Sequence, residues 1–154
     1  MDERASSAAA ITIEPMRIGD YDEVIALWSV TEGLGKLESR AQMAMYLERN
    51  PELSRIARDT TRARRLIGAV LCGHDGRRGY LYHLAVHGDY RRQGIGGQLI
   101  TQCLADLAAL GIERCGLQVY RSNEVGLEYW RRAGWRERSD ILVFTKDLAG
   151  ELRS

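Results

Sequence analysis

The sequence predicts an α/β fold of the α+β type, a mixed and mostly antiparallel sheet with helices packed on it. Three observations predict it. Strand-like and helix-like segments follow one another in the order β, α, α, β, β, β, α, β, α, β. The Asp75-Gly76 pair is a hairpin signal between two of the strand-like runs. A later strand is reached through a helix, which requires it to lie parallel to the strand before that helix.

The elements are predicted from the period of their apolar residues and from their end signals. Asp20 and Ser39 are placed as helix caps, Gly111 and Gly134 as helix stops, and Pro51 ends the second helix. Glycines interrupt the pattern at 31–36, which predicts a loop. The predicted strands are 11–16, 54–59, 65–73, 80–87, 113–120 and 141–145, and the predicted helices begin near 20, 39, 98 and 123.

Length and composition favour one compact domain. The chain has 154 residues, of which 45% are hydrophobic, enough for a real core. We expect a single domain over residues 11–149, between an N-terminal tail (1–10) that is disordered and a short C-terminal tail (150–154).

The charge balance excludes some classes of partner. Lysine and arginine total 22 against 21 acidic residues, a net charge of +1, so there is no general attraction to nucleic acid or to an anionic membrane. The apolar runs are too short for a membrane span, and the first ten residues lack the apolar core of a signal peptide. The expected location is cytoplasmic.

The cysteines and histidines do not form a metal-binding pattern. Cys72, Cys103 and Cys115 are far apart in apolar segments and are expected to be buried thiols. The three histidines lie at 74, 83 and 87, where they would have to converge from alternating faces of a strand. We therefore expect no metal.

A glycine-rich turn between an apolar run and an amphipathic helix is the main functional signal. The first turn of a helix has backbone N–H groups without partners, which attract anions. Glycines let a phosphate come close to these groups, and arginines add positive charge. The turn predicts a phosphate site formed by Arg91, Arg92, Gln93, Gly94, Ile95, Gly96 and Gly97.

The spacing in this turn separates three kinds of phosphate loop. A Walker P-loop is excluded because Gln98 and Leu99 follow the glycines, where lysine and a hydroxyl residue are needed. A dinucleotide turn lacks its third glycine. The remaining pattern, Arg/Gln-x-x-Gly-x-Gly/Ala, is filled by Arg91, Gly94 and Gly96 and resembles the acetyl-CoA pyrophosphate loop of the GNAT (Gcn5-related) N-acetyltransferases.

A second motif extends this resemblance over nearly the whole chain after the tail. Many GNAT proteins have Asn-x-x-Ala-x-x-Φ-Tyr-x-x-x-Gly-Phe after strand five, and this chain keeps the spacing from Asn123 to Gly134. The hairpin at 73–79 is similar to that of a bacterial subgroup typified by YpeA. The resemblance implies a GNAT fold with helices on both faces of the sheet and strands four and five splayed apart after Val86. It is also compatible with a homodimer.

The resemblance implies transfer of the acetyl group of acetyl-CoA to a primary amine of a small molecule, peptide or protein. The amine would attack directly through a tetrahedral intermediate. Main-chain groups of Leu84, Ala85 and Val86 would bind the pantetheine arm, and the Val86 N–H would face the thioester oxygen.

A protonated amine must lose a proton before it attacks, and strand four offers two routes. His83 is one candidate base, since imidazole exchanges protons near neutral pH. Regular alternation along a strand would instead point His83 toward a packed face. The other route is a water chain past Tyr82.

The proton donor for the departing thiolate is where the chain departs from the family pattern. The usual tyrosine position holds Trp130, whose indole N–H is a poor acid. Tyr129, one residue earlier and about 100° around the helix, is one candidate donor, and water or Tyr120 is the other. Asn123 would contact the cofactor arm or cap its helix. The alternative function is therefore a CoA-binding sensor or regulatory module of GNAT fold with weak or no catalysis.

Overall fold

In a computed structural model, residues 10–149 are described, and the chain divides into two compact units between Gln118 and Val119. The first unit contains the whole sheet. The tails predicted at 1–10 and 150–154 lie outside the described residues, apart from Ala10. The carbonyl of Ala10 accepts the Thr60 N–H at 2.8 Å, immediately before the first strand.

The sheet has five strands in the spatial order β1-β2-β3-β4-β5. The first three pairings are antiparallel and the β4–β5 pairing is parallel, as expected for strands joined by a helix. The predicted mixed sheet is thus confirmed. The strands are β1 (Ile11–Pro15), β2 (Arg55–Asp59), β3 (Arg65–His74), β4 (Gly79–Val86) and β5 (Cys115–Gly116).

Two strand predictions were wrong in extent or existence. Strand five was expected over 113–120. In the structure only Cys115 and Gly116 pair with β4. No strand is found at 141–145, where Ile141 to Phe144 are exposed and the described residues provide no backbone partner. An apolar run becomes a strand only when a neighbouring edge accepts its hydrogen bonds.

Four α-helices accompany the sheet in the described part of the chain. Ser39 caps α2 as predicted. Its hydroxyl accepts the Gln42 N–H at 3.2 Å, and the Gln42 side-chain oxygen accepts the Ser39 N–H at 2.9 Å. Asp20 begins α1 without a side-chain cap bond and instead pairs with Arg58 at 2.7 Å. The helices are α1 (Tyr21–Ser29), α2 (Arg40–Arg49), α3 (Ile95–Ala109) and α4 (Glu124–Arg132).

One face of the sheet is covered by α1 and α2. Trp28 of α1 and Met43 of α2 are each 1% exposed and pack in one cluster with sheet residues such as Ile56 and Leu71. Burying a large apolar side chain contributes about 1.5–3 kcal/mol before chain entropy is subtracted. This face also carries the side chains of Tyr82 and His83, described below.

Helix α3 covers the opposite face, so helices lie on both sides of the sheet. Two strand glycines allow it to approach closely. A Cβ on Gly68 would lie 3.1 Å from a methyl carbon of Leu99, and one on Gly79 would lie 2.5 Å from Leu107. These contacts hold α3 against the sheet, and the helix begins directly after the glycine-rich turn.

The cysteines are free thiols, with Cys72 and Cys103 buried and Cys115 half-buried. Burial raises the pKa of the Cys115 thiol to about 12, which keeps it protonated at neutral pH. Among residues 10–149, no helix is both long enough and apolar enough to cross a membrane.

Candidate functional site

The strand β4 is interrupted by a β-bulge at His83. Ala69 faces Ala85 and Leu71 faces Tyr82, so His83 and Leu84 together oppose the single residue Val70. His83 has φ of 58°, a left-handed conformation that is uncommon for residues other than glycine. The bulge changes the alternation that the sequence analysis assumed. Tyr82 and His83 both face the α1/α2 side instead of opposite sides of the sheet.

His83 is held by an acidic and an aromatic neighbour. Its Nε2 lies 3.1 Å from Oε1 of Glu38, and its ring packs edge-on against Trp28 with centroids 4.9 Å apart. The His83 side chain is 10% exposed. When Nε2 carries the proton shared with Glu38, the Nδ1 lone pair is left to accept another.

Glu38 has one oxygen without a partner. Its main-chain carbonyl accepts the Tyr21 hydroxyl at 2.7 Å, which fixes the loop before α2. Oε2 is shielded from solvent and makes no hydrogen bond with the described residues. A buried carboxylate oxygen in this state favours a ligand that can donate a hydrogen bond.

Tyr82 lies in an aromatic group with a partly open ring. It stacks on Tyr80 with centroids 6.3 Å apart, meets Tyr46 edge-on at 6.4 Å and is 38% exposed. Burial, followed by the charge of Tyr80, raises the pKa of Tyr82. The hydroxyl therefore stays protonated at neutral pH and can orient a water molecule without acting as a base.

The edge of β4 that faces β5 is unpaired along most of its length. Pairing ends at Tyr80 and Gly116, so within the first unit this side of β4 has no strand partner from Leu81 onward, earlier than the expected splay after Val86. This unpaired side is the gap beside β4. Strand separation of this kind leaves main-chain groups free for a ligand.

The ladder with β3 decides which main-chain groups face this gap. The His87 N–H donates to the Ile67 carbonyl at 2.8 Å, so Val86, opposite Gly68, directs its own groups away from β3. Its carbonyl accepts the Nε–H of Arg91 at 3.2 Å, and its N–H faces the gap. Ala85, opposite Ala69, turns its groups toward β3, so the expectation that they are free is wrong.

The glycine-rich turn leads from β4 into α3 with a row of unpaired amides. Arg92 and Gly94 have φ of 64° and 77°, and α3 begins at Ile95, which is buried. The first backbone hydrogen bond of the helix is donated by the Gln98 N–H to the Gly94 carbonyl at 3.0 Å. No acceptor within residues 10–149 takes the amides of 92–97.

Space and charge around these amides suit an anion. A Cβ added to Gly94 or Gly97 would meet no atom within 4 Å. Arg91 and Arg92 are exposed, and neither forms an ion pair with an acidic side chain among the described residues. Backbone donors, open space and guanidinium groups without an acidic partner are the features expected of an anion-binding loop, the name used below for residues 91–97.

The remaining predicted residues lie in the second unit. Asn123 caps α4, since its Oδ1 accepts the Gly126 N–H at 3.0 Å. Trp130 packs edge-on between Tyr129 and Trp135, with centroid distances of 5.1 and 5.2 Å. Burial raises the pKa of Tyr129, so its hydroxyl is a weaker acid than usual.

Comparison with known proteins places this fold and loop in a family. The Acetyltransferase (GNAT) family matches residues 22–135, which include β4, the anion-binding loop and α4. The chain belongs to the GNAT family. A GNAT relative, acetyltransferase SG1711 of Sodalis glossinidius, is 29% identical over 137 residues, covering 88% of this chain and 94% of that protein. Acetyltransferase YPTB2753 of Yersinia pseudotuberculosis is 28% identical over 125 residues, covering 80% and 86%.

Solved structures are similar to this GNAT chain in fold. Ard1 from Thermoplasma volcanium has a TM-score of 0.71 at 17% identity and covers 81% of this chain and 82% of its own. The NatC complex bound to Gag peptide and CoA has a TM-score of 0.68 at 23% identity, with 80% and 82% covered. The aminoglycoside 6'-N-acetyltransferase AAC(6')-IG from Acinetobacter haemolyticus has 0.68 at 16%, with 89% and 99% covered.

Sequence analysis of this GNAT chain missed the partner of His83. Glu38 precedes a helix cap and follows a glycine-containing loop, a context shared by many exposed glutamates. Its contact with His83 spans 45 positions and depends on the bulge. No short-range pattern signals such a contact.

Proposed function

We propose that this GNAT acetyltransferase is an N-acetyltransferase that uses acetyl-CoA and a primary amine of a small molecule, peptide or protein. The observation that carries the proposal is the unpaired edge of β4 running into the unpaired amides of 92–97. One end of this surface suits a diphosphate, and the other suits an extended amide-containing arm. Acetyl-CoA supplies an activated acyl group with both features.

The loop and the edge of β4 have separate tasks in the proposed reaction. The amides of 92–97 and the two arginines hold the pyrophosphate, with Gly96 in the family's motif position. Main-chain groups of Leu84 and Val86 orient the arm, and the Val86 N–H stabilises the oxyanion of the tetrahedral intermediate. These tasks depend on backbone geometry more than on side-chain identity.

His83 is the proposed base for the attacking amine. Glu38 orients its ring through Nε2, and Nδ1 takes the proton directly or through water held by Tyr82. The unpaired Oε2 of Glu38 supports an acceptor that arrives as an ammonium, because it would meet a counter-charge before it loses its proton. The proposed donor for the thiolate is solvent or Tyr129.

Two measurements test this proposal. Titration calorimetry with acetyl-CoA should give a saturable heat, and the absence of heat at millimolar acetyl-CoA would refute the cofactor site. A thiol-reactive dye should then report CoA release over a panel of alkylamines, amino acids and peptides. Binding without thiol release from any amine would favour the sensor alternative.

We expect Trp130→Tyr to raise turnover with little effect on the dissociation constant for acetyl-CoA. Tyrosine restores the proton donor that the family pattern has at this position. General acids raise the rate about 100-fold or more when proton transfer limits it. Trp135→Tyr is the matched control, since Trp135 contacts the same indole. If both variants and the parent protein turn over equally fast, the CoA thiolate leaves without a proton donor. A thiol pKa of about 8.5 makes it a fair leaving group.

A further inference from the structure

A buried carboxylate contacts the short segment between β4 and the anion-binding loop. Asp59, at the end of β2, is 1% exposed and forms no ion pair among the described residues. One of its oxygens accepts the Thr61 N–H at 2.9 Å and the Thr61 hydroxyl at 2.6 Å. Its other oxygen accepts the hydroxyl of Tyr90, which is 5% exposed. Burying a carboxylate is costly, so each of its hydrogen bonds counts.

Tyr90 is the last residue before the loop begins. It ends a short 3₁₀ helix, Gly88–Tyr90, in which the Asp89 N–H donates to His87 Nδ1 at 3.1 Å. The His87 and Tyr90 rings meet edge-on with centroids 6.1 Å apart. The Asp59 contact therefore joins β2 to the entrance of the loop across the intervening strand β3.

The two ends of the loop are fixed by different means. At its far end, Ile95 inserts into the core at 2% exposure. At its near end, the bond between Tyr90 and Asp59 is the only side-chain hydrogen bond that Tyr90 makes in the described chain. Between these points, Arg92 and Gly94 have positive φ, so small shifts at Tyr90 would redirect the amides that follow.

We infer that Asp59 and Tyr90 are positioning residues that set the affinity of the loop for the diphosphate of its ligand. This inference rests on the proposed function, because it takes the loop as the acetyl-CoA site. An apolar pair could fill the same space with comparable stability. A charge-assisted O–H···O⁻ bond fixes direction as well as distance, which is what a row of amides needs to face one anion together.

The test compares Tyr90→Phe with Thr61→Val by calorimetry on the full chain. Tyr90→Phe removes the bond to the loop, whereas Thr61→Val removes the hydroxyl bond to the same carboxylate and leaves Tyr90 intact. We expect Tyr90→Phe to weaken acetyl-CoA binding about five- to tenfold, the equivalent of one hydrogen bond. The Michaelis constant for acetyl-CoA should rise likewise, with kcat at saturation unchanged. Thr61→Val should lower the melting temperature and leave acetyl-CoA affinity unchanged.

A double-mutant cycle gives an independent reading. Asp59→Ala combined with Tyr90→Phe should weaken binding no more than Tyr90→Phe alone, since each change removes the same hydrogen bond. Unchanged affinity in Tyr90→Phe, or equal losses in Tyr90→Phe and Thr61→Val, would overturn the positioning role while acetyl-CoA binding by the parent protein stands. Absence of binding by the parent protein would instead refute the proposed function, and the inference with it.

Discussion

Replacing His83 by asparagine should lower kcat/KM for an alkylamine roughly 100-fold or more, with unchanged affinity for acetyl-CoA. General-base catalysis contributes about 10²–10⁴-fold, and the imidazole is the only such group on β4 that Glu38 orients. Asparagine is the informative replacement because it tolerates the left-handed backbone at this position better than alanine. Steady-state thiol release, with acetyl-CoA binding measured by calorimetry, checks the result.

His74→Asn is the matched control for this variant. His74 lies at the end of β3, where its Nδ1 accepts the Gly76 N–H at 3.0 Å within the hairpin. It should leave turnover unchanged. A second acceptor sharpens the test, because an arylamine is already uncharged at neutral pH and should lose little rate in the His83 variant. Equal rates for His83→Asn and the parent protein with the alkylamine would assign the proton to water near Tyr82.

Gly96→Val should weaken acetyl-CoA binding roughly 10- to 100-fold. Gly96 lies in the first turn of α3, and a branched side chain there would keep a diphosphate from the unpaired amides. Hydrogen bonds to charged groups contribute about 1.5–3 kcal/mol each, so the loss of one or two accounts for this change. Calorimetry with acetyl-CoA measures it directly.

Ala105→Val provides the control on the same helix. Ala105 is exposed in the middle of α3, away from the loop, and the substitution introduces the same β-branched side chain. Its acetyl-CoA affinity should match that of the parent protein. If Gly96→Val also binds acetyl-CoA like the parent, the loop does not hold the diphosphate.

Local patterns were sufficient for the elements that the sequence specifies by itself. The strands β3 and β4, the Asp75-Gly76 turn and the Ser39 cap each depend on residues close in sequence, and each is found in the structure. The glycine-rich turn was placed correctly for the same reason, because its geometry is set by Gly94 and the start of α3. Strand 141–145 failed because a strand also needs an edge to pair with.

The geometry around His83 could not be predicted from the sequence. It depends on β4 having one more residue than β3 between their paired positions. Whether His83 and Tyr82 share a face is decided by the extra residue opposite Val70, and nothing local to His83 signals that mismatch. The contacts of Glu38 and Asp59 depend on packing between distant elements. Such contacts follow from the assembled core and not from spacing.

The extra residue in β4 also divides the strand into two segments that can vary separately. Before the bulge, alternate side chains such as Tyr80 and Tyr82 form a wall on the α1/α2 side. After it, the alternation restarts, and the ladder from Ala85 onward sets which amides face the gap. In the proposed reaction, substitutions at Tyr80 or Tyr82 would thus change which amine is accepted without altering the backbone proposed to hold the acyl donor. A deletion at the bulge would change both at once.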